Sequence, residues 1–215
     1  MGERRIILWR HGRTSWNAER RFQGQSDIEL DDEGRAQAER AAELLAYLEP
    51  DRIIASDLAR AWATAQALSN RTGVQVRADA RLRETFAGEW EGLSRAELLE
   101  RHGDEVARWA SDSAARPGGG ETRIEVADRV VAAITDGLEE LAESETLVVA
   151  THGGAARAGI GALLELPPEQ WACLGVLSNC AWSILSENST GFGPAWRLQE
   201  YNAGSLPTPA LADDR

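Results

Sequence analysis

The chain has 215 residues, of which 43% are hydrophobic and 27% charged, a balance typical of a folded globular protein rather than a disordered one. Its net charge of -12 argues against nonspecific binding to nucleic acid, whose phosphates require a basic protein face. All 23 basic residues are arginine, which excludes a P-loop lysine and a Schiff-base lysine.

The composition also limits the cellular context and the number of domains. No apolar stretch approaches the ~18 residues of a membrane span, and the first apolar run is too short for a secretory signal, so we expect a cytoplasmic protein without a membrane partner. Cys173 and Cys180 lack the number and spacing of a disulfide framework or a zinc site, which predicts buried free thiols. We separately expect no bound metal and no cofactor. The length predicts one domain over residues 1–204, with a frayed tail at 205–215.

The first half of the chain alternates strand and helix patterns. The apolar run IILW within residues 5–9 predicts a strand that is buried on both faces, and a loop follows to about Leu30. Asp31 is suited to cap an amphipathic helix, whose apolar positions recur at three- and four-residue steps up to Pro50. The next predicted elements are a strand at 53–55, a helix at 56–72 that Gly73 ends, and a strand at 74–76.

The second half begins with a segment, about residues 78–120, that has short helical patches and ends in glycines. We predict that it forms a lid-like cover over a site. The sequence TLVVA at 146–150 is an apolar strand that leads directly into THGG. The remaining predictions are helices at about 121–143 and 155–166, and strands at 181–185 and 196–199. Alternating strands and helices predict an α/β fold, a three-layer α/β/α sandwich with a mostly parallel sheet and helices on both faces.

Two of the three histidines, His11 and His152, follow apolar strands, and a glycine comes directly after each. Ligands bind at the carboxyl edge of an open α/β sheet, so the repeated position favours a function over a place in the core. Arg10 precedes His11, and Arg60 lies near the start of the second predicted helix. Guanidinium groups bind phosphate oxygens through paired hydrogen bonds. Histidine and arginine without acidic metal ligands therefore predict phosphoryl transfer through a nitrogen nucleophile.

Five ordered sequence blocks resemble the histidine phosphatase (phosphoglycerate mutase-like) superfamily and span nearly the whole chain. The resemblance implies that family's fold and a metal-independent phosphatase chemistry. The blocks are RHGRTSWN at 10–17, FQGQSDIELDDEGRAQA at 22–38, SDLARAWATA at 56–65, LRETFAGEWEG at 82–92 and THGG at 151–154.

The resemblance also implies roles for individual residues. His11 would attack phosphorus and become phosphohistidine. The phosphoryl oxygens would be held by Arg10, Arg60 and His152. Glu84 matches the family's proton donor, although without the family pattern we would interpret it as a solvated loop carboxylate. The residues expected to contact substrate are Asn17, Thr14, Gln23, Gly24 and Gly153. Apart from the resemblance, packing explains most of the eight tryptophans, and Trp16 and Trp90 are the two expected to line the pocket.

Phosphatases and mutases of this family differ in what accepts the phosphoryl group. The mutases carry an insertion after the position of Glu84, with a lysine and an adjacent arginine pair that grip the substrate carboxylate. This chain has no lysine, and no adjacent arginines lie between Glu84 and His152, so water is the expected acceptor. Segments at 119–129, 163–182 and 196–204 are similar to actinobacterial glucosyl-3-phosphoglycerate phosphatases, which makes that compound the leading substrate candidate.

Several alternatives stay open from the sequence. They are a cofactor-dependent phosphoglycerate mutase, an α-ribazole phosphatase, a broad-specificity phosphatase and, least favoured, a noncatalytic module that binds a phosphorylated ligand. The expected partner is a small-molecule phosphomonoester, and a homodimer is also left open.

Overall fold

A six-stranded sheet forms the centre of the structure, a computed structural model that describes residues 3–204. The strands are β1 (Arg5–Arg10), β2 (Arg52–Ala55), β3 (Val76–Ala78), β4 (Thr146–Thr151), β5 (Trp182–Glu187) and β6 (Trp196–Ala203). Their order across the sheet is β3-β2-β4-β1-β5-β6. The first four strands in this order pair in parallel, whereas β5 is antiparallel to β1 and β6 to β5. The predicted mostly parallel sheet is confirmed, and the predicted tail at 205–215 lies outside the described residues.

Helices cover both faces of this sheet. They are α1 (Ser15–Ala18), α2 (Asp32–Ala46), α3 (Ala59–Thr72), α4 (Arg95–Ser111), α5 (Arg123–Glu139) and α6 (Gly153–Leu163). Side chains alternate along β1, so Ile7 and Trp9 share one core with α2 and α3, while Ile6 and Leu8 share the other with α5 and α6. The three-layer α/β/α sandwich is therefore confirmed.

The ends of two helices agree with their sequence signals. The Asp31 carboxylate accepts the Gly34 N–H at 2.7 Å and caps α2. Gly73 has a left-handed φ of 77° at the end of α3, a conformation that a residue with a side chain rarely adopts. The helix predicted to reach Pro50 ends at Ala46 instead. Glu49 has a positive φ of 50°, which a helix cannot contain. The prediction of two buried thiols was wrong for Cys173, which is exposed.

The segment predicted as a lid contains α4, which is longer than the helical patch in the sequence and is kinked at His102. Leu98 and Trp109 of this helix pack with Trp90 and Phe22 in a small cluster separate from the two sheet cores. The rings of Trp90 and Trp109 meet edge to face, with centroids 5.8 Å apart. This aromatic cluster adjoins the carboxyl edge of the parallel strands, where the candidate site lies.

Candidate active site

His11 and His152 lie side by side at the carboxyl edge of the sheet. Strands β1 and β4 are parallel neighbours whose last residues, Arg10 and Thr151, are in register. The residue after each strand is a histidine, and the two ring centroids are 5.1 Å apart. The sequence prediction that both histidines reach one sheet edge is confirmed.

The His11 imidazole is held in one tautomer. Its Nδ1 lies 2.7 Å from the Gly12 carbonyl oxygen, which can only accept a hydrogen bond, so Nδ1 carries the proton and Nε2 keeps a free electron pair. Burial lowers the pKa of His11 well below its usual value, and the charges of Arg60 and Arg10 lower it further. The ring is therefore neutral at neutral pH, the state that a nitrogen nucleophile needs.

Gly12 can hold this carbonyl in place because it has no side chain. A Cβ at this position would lie 2.3 Å from the Gly34 carbonyl oxygen at the start of α2. The Gly12 N–H donates to the Thr64 hydroxyl of α3 at 3.1 Å, which fixes the peptide group that precedes this carbonyl. The glycine after His11 is thus required by packing against α2.

His152 is fully buried behind His11, with Nε2 at 2.8 Å from the Ser56 hydroxyl. Ser56 follows β2, and its oxygen already accepts the Leu58 N–H at 3.3 Å, so its own proton is available to Nε2. In the tautomer in which Nε2 accepts that proton, Nδ1 carries the ring proton, and Nδ1 has no hydrogen-bond partner among residues 3–204. Burial, followed by the charges of Arg60 and His11, lowers the pKa of His152 well below its usual value. The result is a neutral ring with one unused donor.

Two buried arginines supply positive charge next to the histidines. Arg60, in the first turn of α3, donates to the carbonyls of Ser26 at 2.7 Å and Gly24 at 2.8 Å. Burial lowers the pKa of Arg60 to about 10, so the side chain stays cationic at neutral pH. Arg10 donates from Nη1 to the Leu177 carbonyl at 2.6 Å. These carbonyls fix both guanidinium groups before any ligand arrives.

Most of the other residues predicted to contact substrate line the pocket, and one lies behind them. Asn17, Gln23 and Gly24 line the pocket, whereas Thr14 does not. The Thr14 side chain is fully buried, caps α1, and lies 3.1 Å from Asn17 Oδ1 and 3.0 Å from Gln23 Oε1. Thr14 therefore supports two lining residues, and its direct contact with substrate stays a prediction.

The Glu84 carboxylate lies at the N-terminus of α6 and lines the same pocket. Oε2 accepts the Gly154 N–H at 2.9 Å, and Oε1 accepts the N–H groups of Ala155 at 2.9 Å and Thr85 at 2.8 Å. Helix N-termini present unpaired N–H groups and a positive dipole end, so they hold carboxylates well. Glu84 is thus a positioned side chain and not a freely solvated loop carboxylate.

Gly153, another predicted contact, begins α6 in close contact with its neighbours. A Cβ there would lie 2.6 Å from a Val176 methyl carbon and 3.4 Å from the guanidinium carbon of Arg10. The glycine lets the helix start directly against Arg10, and a contact of Gly153 with substrate stays a prediction.

The pocket is small, about 50 Å³. Neither Trp16 nor Trp90 lines it, and Trp16 packs on Gly92 instead. The sequence did contain a signal for one further lining residue, Arg157. It comes four residues after Gly153, a spacing that places both on one face of α6. The lining residues without a role predicted from the sequence include Phe22, Trp109, Arg123 and Arg157.

Comparison with known proteins identifies the family of this chain. Residues 6–203 match the model of the histidine phosphatase superfamily (branch 1). The chain belongs to this superfamily. The match contains His11, Glu84 and His152 and, apart from Arg5, all residues of the six strands. The chain is a phosphoric monoester hydrolase of the histidine phosphatase type.

Several relatives are similar over nearly their whole length. The glucosyl-3-phosphoglycerate phosphatase of Mycobacterium tuberculosis is 40% identical over 217 residues, covering 95% of this chain and 97% of the relative. The enzyme of the same name from Mycolicibacterium vanbaalenii is 38% identical over 222 residues, with the same coverage. A probable phosphoglycerate mutase of Salmonella typhi is 36% identical over 212 residues, covering 96% of each chain.

Solved structures show the same similarity. A mycobacterial glucosyl-3-phosphoglycerate phosphatase in complex with VO3 superposes with a TM-score of 0.87 at 41% identity, covering 94% of this chain and 100% of that chain. A mycobacterial enzyme of this name with inorganic phosphate gives a TM-score of 0.85 at 38% identity, covering 94% and 98%.

Two features are absent from residues 3–204. No helix in this range is long and apolar enough to cross a membrane. No group of three or more histidine, cysteine, aspartate or glutamate side chains in the same range is arranged to hold a metal ion.

Proposed function

We propose that this phosphatase hydrolyses a small anionic phosphomonoester through a phosphohistidine on His11. The observation that supports this most strongly is the neutral His11 ring, whose Nδ1 donates to the Gly12 carbonyl and whose Nε2 is left with an electron pair. Arg10 and Arg60 lie buried beside it. Phosphoryl transfer depends mainly on positioning and on charge stabilisation, which a fixed nucleophile and fixed cations supply.

In the first step, Nε2 of His11 attacks phosphorus and the bond between phosphorus and the ester oxygen breaks. Glu84 gives its proton to the departing alkoxide, because an unprotonated alkoxide leaves poorly. Arg10, Arg60 and His152 hold the three phosphoryl oxygens, with Nδ1–H of His152 as the neutral donor among them. The products are phosphohistidine, the free alcohol and the Glu84 carboxylate.

In the second step, the Glu84 carboxylate takes a proton from water while the water oxygen attacks phosphorus. The bond between phosphorus and His11 Nε2 breaks, inorganic phosphate leaves, and both side chains return to their starting states. Asn17 adds a neutral side chain at the pocket wall. Water is the proposed acceptor because the chain has no lysine with which to hold a reorienting phosphoglycerate.

Glucosyl-3-phosphoglycerate is the leading substrate candidate. Two relatives with that substrate in their names match nearly the whole chain at 40% and 38% identity. The similarity to a probable phosphoglycerate mutase keeps 3-phosphoglycerate in the test set. A homodimer, a cytoplasmic location, a lid role for about residues 78–120, and one domain over residues 1–204 stay predictions.

The experiment is a screen for phosphate release with three phosphate esters: glucosyl-3-phosphoglycerate, 3-phosphoglycerate and α-ribazole phosphate. We expect turnover with an acid-labile phosphoenzyme in the wild type and neither in His11→Ala. His102→Ala is the matched control, since His102 lines no part of the pocket. Chelators should leave the rate unchanged. Substantial activity in His11→Ala would overturn the mechanism, and 2-phosphoglycerate formed from 3-phosphoglycerate as fast as phosphate would indicate a mutase.

A further inference from the structure

A second cavity, of about 310 Å³, adjoins the phosphoryl pocket. The two share four lining residues, Phe22, Trp109, Arg123 and Arg157. The phosphoryl pocket, about 50 Å³, is far smaller than the ~300–1,000 Å³ of common ligand sites. The alcohol part of a substrate must therefore extend beyond it, and the second cavity is the adjoining space.

The charge of this second cavity is opposite to that of the whole chain. Its lining includes four arginines but only one carboxylate, Glu169, whereas the chain carries a net charge of -12. Clefts lined by one sign of charge concentrate ligands of the other sign. A second anionic group on the ligand is the expected partner. The four arginines are Arg20, Arg95, Arg123 and Arg157.

Arg157 is the best placed of these arginines to receive that group. Its half-buried side chain makes no hydrogen bond or ion pair with any residue in the range 3–204. It lies three residues after Gly154, whose N–H holds Glu84, and is therefore about one helical turn from the proposed proton donor. A carboxylate a few bonds from the leaving oxygen would meet this guanidinium, which binds carboxylates through two parallel hydrogen bonds.

The wall beside Arg157 is aromatic. Trp90 is fully buried and Trp109 is half-buried, and both line the second cavity. In the described part of the chain, neither indole Nε1 has a hydrogen-bond acceptor. Buried indole N–H groups normally find one. Both nitrogen atoms are themselves buried, so what this wall offers a ligand is the face of Trp109, on which a sugar ring can pack.

We propose that the second cavity is the leaving-group subsite, in which Arg157 binds a carboxylate of the alcohol and Trp109 packs against a hydroxylated ring. The proposal rests on the proposed function, because it assigns the part of the substrate that the phosphoryl pocket does not hold. The substrate class is a phosphorylated hydroxy acid that carries a glycosyl ring.

The carboxylate contact is tested with 3-phosphoglycerate and glycerol 3-phosphate, which differ only in a carboxylate against a hydroxymethyl group. The measured quantity is the ratio of the two kcat/KM values. Arg157→Gln should lower this ratio ~10- to 100-fold, the range for a lost hydrogen bond between charged groups. Arg157→Lys keeps the charge without the planar fork, so it should lower the ratio by a smaller factor.

Arg101→Gln is the matched control for the loss of one positive charge. Arg101 lies on α4, pairs with Glu97 at 4.0 Å and lines neither cavity. The ratio should stay at the wild-type value in this variant. An unchanged ratio in Arg157→Gln, or an equal fall in Arg101→Gln, would overturn the assignment of the carboxylate to Arg157.

The ring contact is tested with glucosyl-3-phosphoglycerate and 3-phosphoglycerate, which differ by the sugar. Trp109→Leu should lower the ratio of their kcat/KM values ~10-fold, because the sugar ring loses an aromatic face on which to pack. Trp16→Leu is the control, since Trp16 lines neither cavity. An unchanged ratio in Trp109→Leu would remove the sugar from this subsite.

Binding separates this proposal from the proposed function. In a His11→Ala background, calorimetric titration with the two glycerol derivatives needs no turnover. Preference for 3-phosphoglycerate that Arg157→Gln abolishes would support the subsite even if the wild type released no phosphate, in which case only the proposed function fails. Equal binding of both ligands before and after Arg157→Gln would overturn the subsite while leaving hydrolysis intact.

Discussion

Arg129 and Glu121 form a two-pronged ion pair, with both the Nε–Oε1 and the Nη2–Oε2 distances at 2.9 Å. The same guanidinium donates to the main-chain carbonyls of Arg81 at 2.7 Å, Arg83 at 2.6 Å and Glu84 at 2.9 Å. Both side chains are mostly buried, with 17% and 25% of their surfaces exposed. Arg129 on α5 therefore fixes the backbone that carries the proposed proton donor.

We expect Arg129→Gln to act through Glu84 and to slow alkyl phosphate turnover ~10-fold or more, because small displacements of a catalytic group are costly. With p-nitrophenyl phosphate, whose leaving group needs little protonation, the loss should be smaller. The measurement is the ratio of kcat values for the two substrates, together with the melting temperature.

Arg116→Gln is the control for this ratio. Arg116 forms a similar two-pronged pair with Glu125, at 2.8 and 2.6 Å, but donates to no residue of the pocket. The ratio should match the wild type in this variant even if stability falls. Equal losses for both substrates in Arg129→Gln would show that Arg129 serves the fold alone.

Ser56 is predicted to orient His152, because its hydroxyl lies 2.8 Å from Nε2 and sets which nitrogen carries the proton. Ser56→Ala should lower kcat/KM ~3- to 10-fold, the range for one neutral hydrogen bond, and weaken inhibition by inorganic phosphate by a similar factor. Ser56→Thr keeps the hydroxyl and should restore most of both values.

Ser186→Ala, which removes another buried hydroxyl far from the pocket on β5, is the comparison variant. Unaltered phosphate inhibition in Ser56→Ala would disprove the orienting role.

The two buried histidines predict a pH dependence of stability. The folded-state pKa values of His11 and His152 lie well below the ordinary value of 6.5, which unfolding restores. Below that value the unfolded chain binds more protons than the folded one, so the free energy of unfolding falls as pH decreases from ~6.5 and is at its full value above it. Each histidine contributes a slope of up to ~1.4 kcal/mol per pH unit.

Urea unfolding from about pH 7.5 to about pH 5 measures this slope, since carboxylates titrate mainly below that window. A variant that combines His11→Asn and His152→Asn should show a much flatter profile. A profile as steep as that of the wild type would mean that other groups cause the loss.

The sequence predicted the layers of this fold because its signals are local. Asp31 before an apolar periodicity and Gly73 after one identify helix ends within a few residues of the chain. His11 and His152 were predicted to meet for a related reason, since parallel strands bring their carboxyl ends to one edge. The length of α4 and its kink at His102 depend on aromatic packing across the chain, which no local pattern contains.

The second cavity could not be predicted in the same way. Trp109, Arg123 and Arg157 come from three different helices, and each resembles an ordinary surface or core residue in its own segment. Thr14 is the opposite case. Its family motif suggests contact with substrate, but its hydroxyl is hydrogen-bonded to Asn17 and Gln23. Whether such a residue lines a cavity depends on where the fold places it and not on its residue type.

Glu84 is held in place by the main chain. Its two oxygens accept three main-chain N–H groups, from Thr85, Gly154 and Ala155, so its position does not depend on substrate. Glu84→Gln keeps the shape but must turn its NH2 group toward one of these donors. At least one hydrogen bond is therefore lost, and a simple loss of rate would not separate positioning from proton donation.

Substrates whose leaving groups differ in basicity distinguish proton donation from positioning. A sugar or glycerate alkoxide leaves poorly without a proton, whereas p-nitrophenolate leaves well without one. We expect Glu84→Gln to slow phosphoenzyme formation ~10²- to 10⁴-fold with an alkyl phosphate, the range for general acid catalysis, and far less with p-nitrophenyl phosphate. Rapid-quench measurement of the first step is needed, because Glu84 is also proposed to activate water in the second step and steady-state rates would mix the two. If both substrates slow equally in that first step, Glu84 only positions the phosphoryl group and a different acid protonates the leaving oxygen.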